Sequence, residues 1–389
     1  MNKSTMKTTQ KPHIVIVGAG VLGGAIAFQL ARRNARITWI DAGEPGQGAS
    51  LPSFAWLNGH SKNPQHYHEL NRRSLDMWDR FARQLEAAWG QPVGLTWGGE
   101  LRWSATEIGG AALTERARQL QSWGYPIRLL SKEEVTALEP RLPIGAVSAA
   151  TLTEIEGHVD TQRVIPACVA GVEARGGVTR WNSPVTGIRL DGGDGAGKAT
   201  AVLCGDRTIE CDYVVLTGGP DTTALAEMAG VHAPVYHTFG CTILTEPMPP
   251  LFDSVAVVHT PRDSAPLLNV RQLPDGCVVV HGGAHGTASD RSLGQSAAEV
   301  EEVMSAAARC FPSLSQATIR TVRRGRRPIP EDGLPIIGFA PTVKNLYIAA
   351  MHSGVTLAAL VGEFAAIEIL DGADIATLHP YRPHRFQTS

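Results

Sequence analysis

One stretch near the N-terminus restricts this chain more than any other: His13-Ile-Val-Ile-Val17 followed by Gly18-Ala19-Gly20-Val21-Leu22-Gly23. The β-branched run has no polar alternation, which suits a strand buried on both faces of a parallel sheet. The glycines break it, residues 21–33 then read as a helix, and Arg36 to Ile40 as a second strand. Together these make one βαβ unit. G-x-G-x-x-G is a weak signal alone and an informative one between a buried strand and a helix. Gly18 permits the tight turn, Gly20 lets the backbone approach a pyrophosphate, and Gly23 lets the helix pack on the strand. The N–H groups of this turn and the positive end of the helix attract phosphate charge, so Gly18 through Gly23, with Ala19, Val21 and Leu22 between, form the expected cradle. Asp41 stands at the end of the second strand, 21 residues after Gly20. A carboxylate there accepts both ribose hydroxyls of an adenosine and repels a 2′-phosphate. The motif therefore points to a dinucleotide other than NADP, and fits NAD and FAD alike.

The remainder of the chain bounds the problem. Its 389 residues suggest two domains, and 43% hydrophobic with 19% charged residues is ordinary for a globular protein. A net charge of −2 exerts no long-range pull on nucleic acid or an anionic membrane, and the cluster Arg323, Arg324, Arg326 and Arg327 reads as a solvated loop face. Six cysteines without a C-x-x-C read as reduced, mostly buried thiols of a cytoplasmic protein. Residues 1–12 read as a disordered tail. Of two apolar stretches, 14–31 holds four glycines and 354–370 holds Glu363 and Glu368, so neither is expected to span a membrane. No metal site is expected: His66 and His68 are two apart on a predicted helix, and His281 and His285 straddle a glycine loop. No G-x-S-x-G elbow supports a hydrolase.

Patterning organises the chain further. Residues 66–89 predict a long amphipathic helix, Trp97 to Ser104 a strand, 109–124 a helix, and Ser131 with Glu134 a capping box. Asp160 is the expected N-cap of a helix over 161–175. Strands are expected at Val178–Trp181, Val185–Leu190, Ala199–Cys204 and Tyr213–Thr217, with a glycine-rich turn at 191–197. Strands near 235–245, 255–259, 266–271 and 277–283, then a helix at 295–310, suggest an antiparallel sheet in a second domain. Residues 345–350 return to a buried strand, followed by a helix at 354–371 that ends at Gly372. The expectation is an α/β protein: a Rossmann-like dinucleotide domain (13–65, 150–225 and 322–389) with an inserted antiparallel-sheet α+β domain (66–149 and 226–321).

Over most of its length the sequence resembles the D-amino acid oxidase family of FAD-dependent oxidoreductases, which includes glycine oxidase and sarcosine oxidase. Five segments carry the resemblance: GAGVLGG with Asp41; Gly46-Gln-Gly48-Ala49-Ser50; Tyr213-Val-Val-Leu-Thr217-Gly218-Gly219; Arg327-Pro-Ile-Pro-Glu-Asp332-Gly333-Leu334-Pro-Ile-Ile-Gly338; and Asn345-Leu-Tyr-Ile-Ala-Ala-Met-His352-Ser353-Gly354-Val355-Thr356. The resemblance implies non-covalent FAD in a fold of the family's type. It places Gly48, Ala49, Ser50 and Ser53 at the pyrophosphate, and Ala42, Val185, Thr217, Gly218 and Gly219 around the dinucleotide. Asp332, Gly333, Leu334 and the turn His352–Thr356 fall beside the flavin. It further implies removal of a hydride from a carbon bearing an amine, with flavin N5 as acceptor and hydrolysis of the resulting imine. A neutral amine at transfer implies activity that rises with pH.

On the substrate side the resemblance aligns Arg327 with a carboxylate-holding arginine of glycine oxidase. Arg271, on a strand expected to line the cavity, and His352, at the flavin turn, are the other candidates, whereas His60 and His281 read as structural. Some sarcosine oxidases attach FAD through a cysteine where this chain has Gly325, and use a lysine absent from Cys277-Val-Val-Val-His281. The expected substrate is a small amine or amino acid, and the electron acceptor stays open between oxygen and a quinone or carrier. An NAD-dependent dehydrogenase and an FAD-carrying subunit of a larger dehydrogenase are the alternatives. Oligomeric state is not legible.

Overall fold

β1 (His13–Val17) is an interior strand of a six-stranded sheet. It pairs in parallel with β2 (Arg36–Ile40) on one side and with Tyr213–Leu216 on the other. Val178–Arg180 and Leu346–Ala350 extend the parallel array, and Ile336–Phe339 closes one edge antiparallel. The computed structural model describes residues 11–192, 197–261, 267–282 and 297–387. The expected disordered tail therefore lies outside the described residues, apart from Lys11 and Pro12, and so do His285 and the centre of the 191–197 turn.

α1 (Val21–Arg32) is apolar around almost its whole circumference because other elements cover it on every side. Gly24 meets Cys168 and Trp39, Phe28 lies over Gly171, and the helix Gly354–Asp371 crosses so closely that a Cβ at Gly362 would stand 2.8 Å from the Ala25 carbonyl. α2 (Gln65–Trp89) packs on the same body: Leu70, Leu75, Trp78, Phe81 and Leu85 share one core with α1 and the Gly354–Asp371 helix. This departs from the expected division, which put 66–89 with the second domain. The apolar stripe was visible in the sequence, but its partner was not.

The second sheet has eight strands, in the order Ile319–Pro330, Val235–Pro247, Cys277–Gly282, Asn269–Gln272, Val257–His259, Glu100–Ser104, Ala149–Thr153 and Ile127–Leu130. Pairings are antiparallel except that Val257–His259 runs parallel to Glu100–Ser104. The strands at 149–153 and 319–330 thus belong to this sheet rather than to the dinucleotide unit. The arginine cluster, expected as a loop, lies on the last of them, where alternation sends successive arginines to opposite faces. A small sheet, Gly187–Asp191, Lys198–Cys204 and Arg207–Glu210, adjoins the parallel array.

Caps appear where the sequence placed them. Ser131 and Glu134 form a reciprocal capping box, the Asp160 carboxylate accepts the Gln162 N–H, and Gly372 ends its helix in the left-handed conformation. The strand expected over 97–104 is interrupted at Gly98 and Gly99, both at positive φ. No helix among the described residues is long and apolar enough to cross a membrane.

Gly23→Ala tests the central packing. A Cβ there would stand 2.0 Å from the Gly18 carbonyl oxygen and 2.6 Å from Thr217 Oγ1. The variant should lose about 1–3 kcal/mol of stability and retain less cofactor through gel filtration. An unchanged denaturation midpoint would contradict this.

Candidate active site

A cavity of about 830 Å³ lies between the two sheets, beyond the carboxyl ends of β1 and β2. Gly18, Gly20, Val21 and Leu22 line one end with Asp41. Asp41 Oδ2 accepts the Ala19 N–H at 2.5 Å and Oδ1 accepts the Gly43 N–H at 2.8 Å, which fixes the carboxylate at the cavity edge. Ser50 Oγ accepts the Val21 N–H at 3.0 Å, and the Ser50 carbonyl is held by the Thr161 hydroxyl. Ser50 is therefore anchored by the helix start that it helps to cap. Gly48, Ala49 and Ser53 line the same wall.

Thr217, Gly218 and Gly219 come from the neighbouring strand end. The Thr217 hydroxyl lies 2.9 Å from both the Val17 and Gly18 carbonyl oxygens and locks the two strand ends together. His352, Ser353, Gly354, Val355 and Thr356 line the wall as the N-terminus of the Gly354–Asp371 helix, with Gly354 against Leu22 of α1. The Thr356 hydroxyl donates to the Trp56 carbonyl, and Tyr67 donates to Ser353 Oγ at 2.8 Å. Neither helix start is capped by the side chain of its own N-cap residue, Gly20 or Ser353. Two helix N-termini thus open on one cavity, as a ligand with a diphosphate at one end and an electron-rich ring at the other requires.

Other expected contacts lie elsewhere. Ala19 and Gly23 sit behind the cradle as packing residues, and Ala42, Val185 and Leu334 are not among the lining residues. Asp332 turns away to pair with Arg385 at 2.7 Å, while its neighbour Gly333 does line the cavity. No cysteine among the described residues lines it either, and Gly325 packs against Pro52.

The substrate candidates divide. Arg327 lines the cavity, with its guanidinium laid flat over Gly240, where a Cβ would stand 2.2 Å from Nη2. Its Nη2 donates to His281 Nε2 at 2.8 Å. Thr242 spends its one proton on the Pro52 carbonyl at 2.6 Å, so His281 Nδ1 must donate to Thr242 Oγ1 at 2.8 Å, leaving Nε2 as an acceptor for Arg327. His281, expected to be merely structural, therefore orients Arg327. Arg271 does not reach the cavity. It shares a sheet face with Asn269, but the Phe54 ring covers it and its Nη1 is bonded to His158 Nδ1 at 3.0 Å. Burial pushes its pKa down to about 10.

The sequence reading missed a second group. Arg102 and His259 line the cavity from adjacent strands, and Lys62 enters from the loop before α2. Behind them Glu100 Oε1 accepts from Arg102 Nε at 2.7 Å, and Oε2 lies 3.1 Å from His60 Nδ1. Alternation of Glu100 and Arg102 within an otherwise buried strand was the available signal; Lys62 offered none. Burial lowers His60 to about 4 and His259 to about 3, with the Arg102 charge adding to both, and burial lowers Lys62 to about 8. Burial, then the Glu100 charge, raise Glu156 to about 7. Among the described residues no cluster of side chains is arranged to hold a metal, and His66 and His68 bond separately to Tyr381 and to the Gly59 carbonyl.

Fold and cavity together define a dinucleotide-dependent oxidoreductase with its site between two sheets. Residues 13–366 match the model of the DAO family, described as FAD dependent oxidoreductase, and the chain belongs to that family. FAD is its cofactor, which sets aside the NAD alternative. The chain is similar to glycine oxidase of Geobacillus kaustophilus (strain HTA426), at 27% identity over 370 residues covering 92% of this chain and 93% of that one. It is equally similar to one of the subunits of the opine oxidase of Agrobacterium tumefaciens (strain Ach5), at 27% over 381 residues, covering 96% and 97%. The crystal structure of the Geobacillus kaustophilus glycine oxidase superposes with a TM-score of 0.86 at 25% identity, covering 97% of this chain and 100% of that one.

Two measurements test the site. Asp41→Ala should purify with substoichiometric FAD, because the variant loses the ribose acceptor and the bonds to Ala19 and Gly43; full occupancy after dialysis would refute the placement. The unfolded chain binds more protons than the folded one wherever a histidine is held below its ordinary pKa of 6.5. His60 and His259 therefore contribute stability above pH 6.5 that is lost as pH falls toward 4. The denaturation midpoint of the FAD-loaded protein should drop between pH 7 and pH 4.5, and a flat profile would contradict this.

Proposed function

We infer that the protein oxidises the C–N bond of a small amino acid or carboxylate-bearing amine to an imine, which water then hydrolyses. FAD, when bound, would supply the two-electron acceptor for this oxidation. The chain's own contribution is orientation and charge. Arg327 offers a planar fork to a carboxylate and so fixes the carbon to be oxidised over the cofactor. Gly240 leaves room for that guanidinium, and His281 pins one edge of it. His352, at the helix start, is assigned to the flavin or substrate edge. The observation that carries this reading is Arg327 in the wall of the same cavity that the dinucleotide cradle lines. Similarity to glycine oxidase and to one component of an opine oxidase supports it. The latter also favours a second reading of the electron path, in which a partner protein receives the electrons and oxygen does not.

An anaerobic screen of D- and L-amino acids, N-methyl amino acids and cyclic imino acids should bleach the flavin with at least one of them. If none does so, the reading fails. Arg327→Ala should raise KM for that substrate by ~30-fold or more, about 2 kcal/mol. Gly240→Ala should shift KM in the same direction by displacing the guanidinium while keeping its charge. Rates should rise with pH as the amine loses its proton, and an unaltered KM in both variants would remove Arg327 from the substrate site.

A further inference from the structure

Arg327 accounts for one anionic group, and the same cavity holds a second cationic station that this role leaves unused. Register places the two. His281, Asn269 and His259 are direct cross-strand neighbours on three successive strands, so they form one row on one face of the sheet. Arg327 contacts the row at His281, and Arg102 contacts it at His259, where Nη2 stands 3.3 Å from Nε2. Two strand spacings separate these contacts, roughly 10 Å.

Arg102 is 4% exposed and Lys62 is 7% exposed, yet both line the cavity. Arg102 gives its Nε to Glu100 and Nη2 to His259; among the described residues its Nη1 has no hydrogen-bond acceptor, and neither has Lys62 Nζ. Glu100 and Glu156 sit behind the wall and do not line it. Glu100 balances Arg102, whereas Glu156 is raised to about 7 and only partly balances Lys62 near neutral pH. These partly desolvated cations in the cavity wall lack an acceptor that a carboxylate arriving from the cavity would supply.

We propose that the substrate carries two carboxylates, one held by Arg327 and the other by Arg102 and Lys62, with the oxidised C–N bond between them. This rests on the reading of Arg327 given above and specifies the substrate class of that site: an amino or imino acid with a second carboxylate a few atoms away.

The test uses the FAD-loaded enzyme and two measurements. In the first, succinate, glutarate and adipate are titrated against butyrate, valerate and hexanoate while the flavin absorption spectrum is followed. One dicarboxylate should bind at least ten-fold more tightly than its monocarboxylate counterpart. That ratio should collapse toward one in Lys62→Met and in Arg102→Met, with the Lys62 variant decisive if removing Arg102 unfolds the protein around Glu100. Equal binding of the two series, or an unchanged ratio in Lys62→Met, overturns the proposal. In the second, iminodiacetate and sarcosine, which differ by one carboxylate, are compared for anaerobic bleaching. Faster bleaching by iminodiacetate supports the proposal. Equal or faster bleaching by sarcosine overturns it while leaving C–N oxidation intact. Bleaching by neither, nor by any compound of the wider screen, removes the reading on which it rests.

Discussion

The structure turns on a single close contact, where the first turn of α1 meets the end of β1. Gly23 lies so near the Gly18 carbonyl and the Thr217 hydroxyl that no side chain fits between them. This proximity leaves the helix N-terminus aimed along the sheet and clear of bulk, which is the condition for backbone N–H groups to meet a diphosphate. It also sinks α1 into the protein. Once buried on all sides, the helix needs apolar partners from distant parts of the chain, and α2 and the Gly354–Asp371 helix supply them. The second of these brings its own N-terminus to the same cavity, beside the start of α1. Two helix N-termini on one cavity thus follow from the packing of one helix.

The eight-stranded sheet solves a different problem. It must present polar side chains to a substrate without exposing its core. Strand alternation does this, because Thr242, His281, Asn269 and His259 fall on one face while Ile243, Val280, Val270 and Val258 fill the core on the other. The twelve-residue strand Ile319–Pro330 carries the sheet up to the turn at Gly333, so that two lining residues, Arg327 and Gly333, come from neighbouring stretches of chain. A rigid strand holds the Arg327 guanidinium more closely than a loop could, and the His281–Thr242–Pro52 chain of hydrogen bonds removes the remaining freedom at its tip.

What could be read in the sequence was what local physics decides. The βαβ unit, the caps at Ser131 and Asp160 and the left-handed stop at Gly372 depend on residues within a few positions of one another, and all are present. The alignment of Arg327 with a known motif also led to the cavity. Long-range facts escaped. The stripe on α2 specified an apolar partner without saying which one. Arg271 had the right strand and the right face, yet the ring of Phe54, more than two hundred residues earlier, covers it. Arg102 and His259 become neighbours only through a parallel pairing of strands over 150 residues apart, and no spacing rule encodes that. Lys62 carried no pattern of its own, because a lysine in a polar loop ordinarily points to water.

The buried charges explain why such groups tolerate this position. A cation withdrawn from water without compensation would shed its proton or unfold its surroundings. Arg102 cannot shed its proton, so it is bonded to Glu100, whose other oxygen is in turn engaged by His60 and by Thr153. His60 and His259 stay neutral in this setting because burial, and then the charge of the same arginine, disfavours a second positive charge. The cluster is therefore self-consistent only with one fixed charge on each side and the histidines as neutral spacers. That arrangement costs stability compared with an apolar wall of equal volume. Its return is a guanidinium edge already desolvated and already oriented, so that a ligand meeting it does not bear the cost of ordering the site.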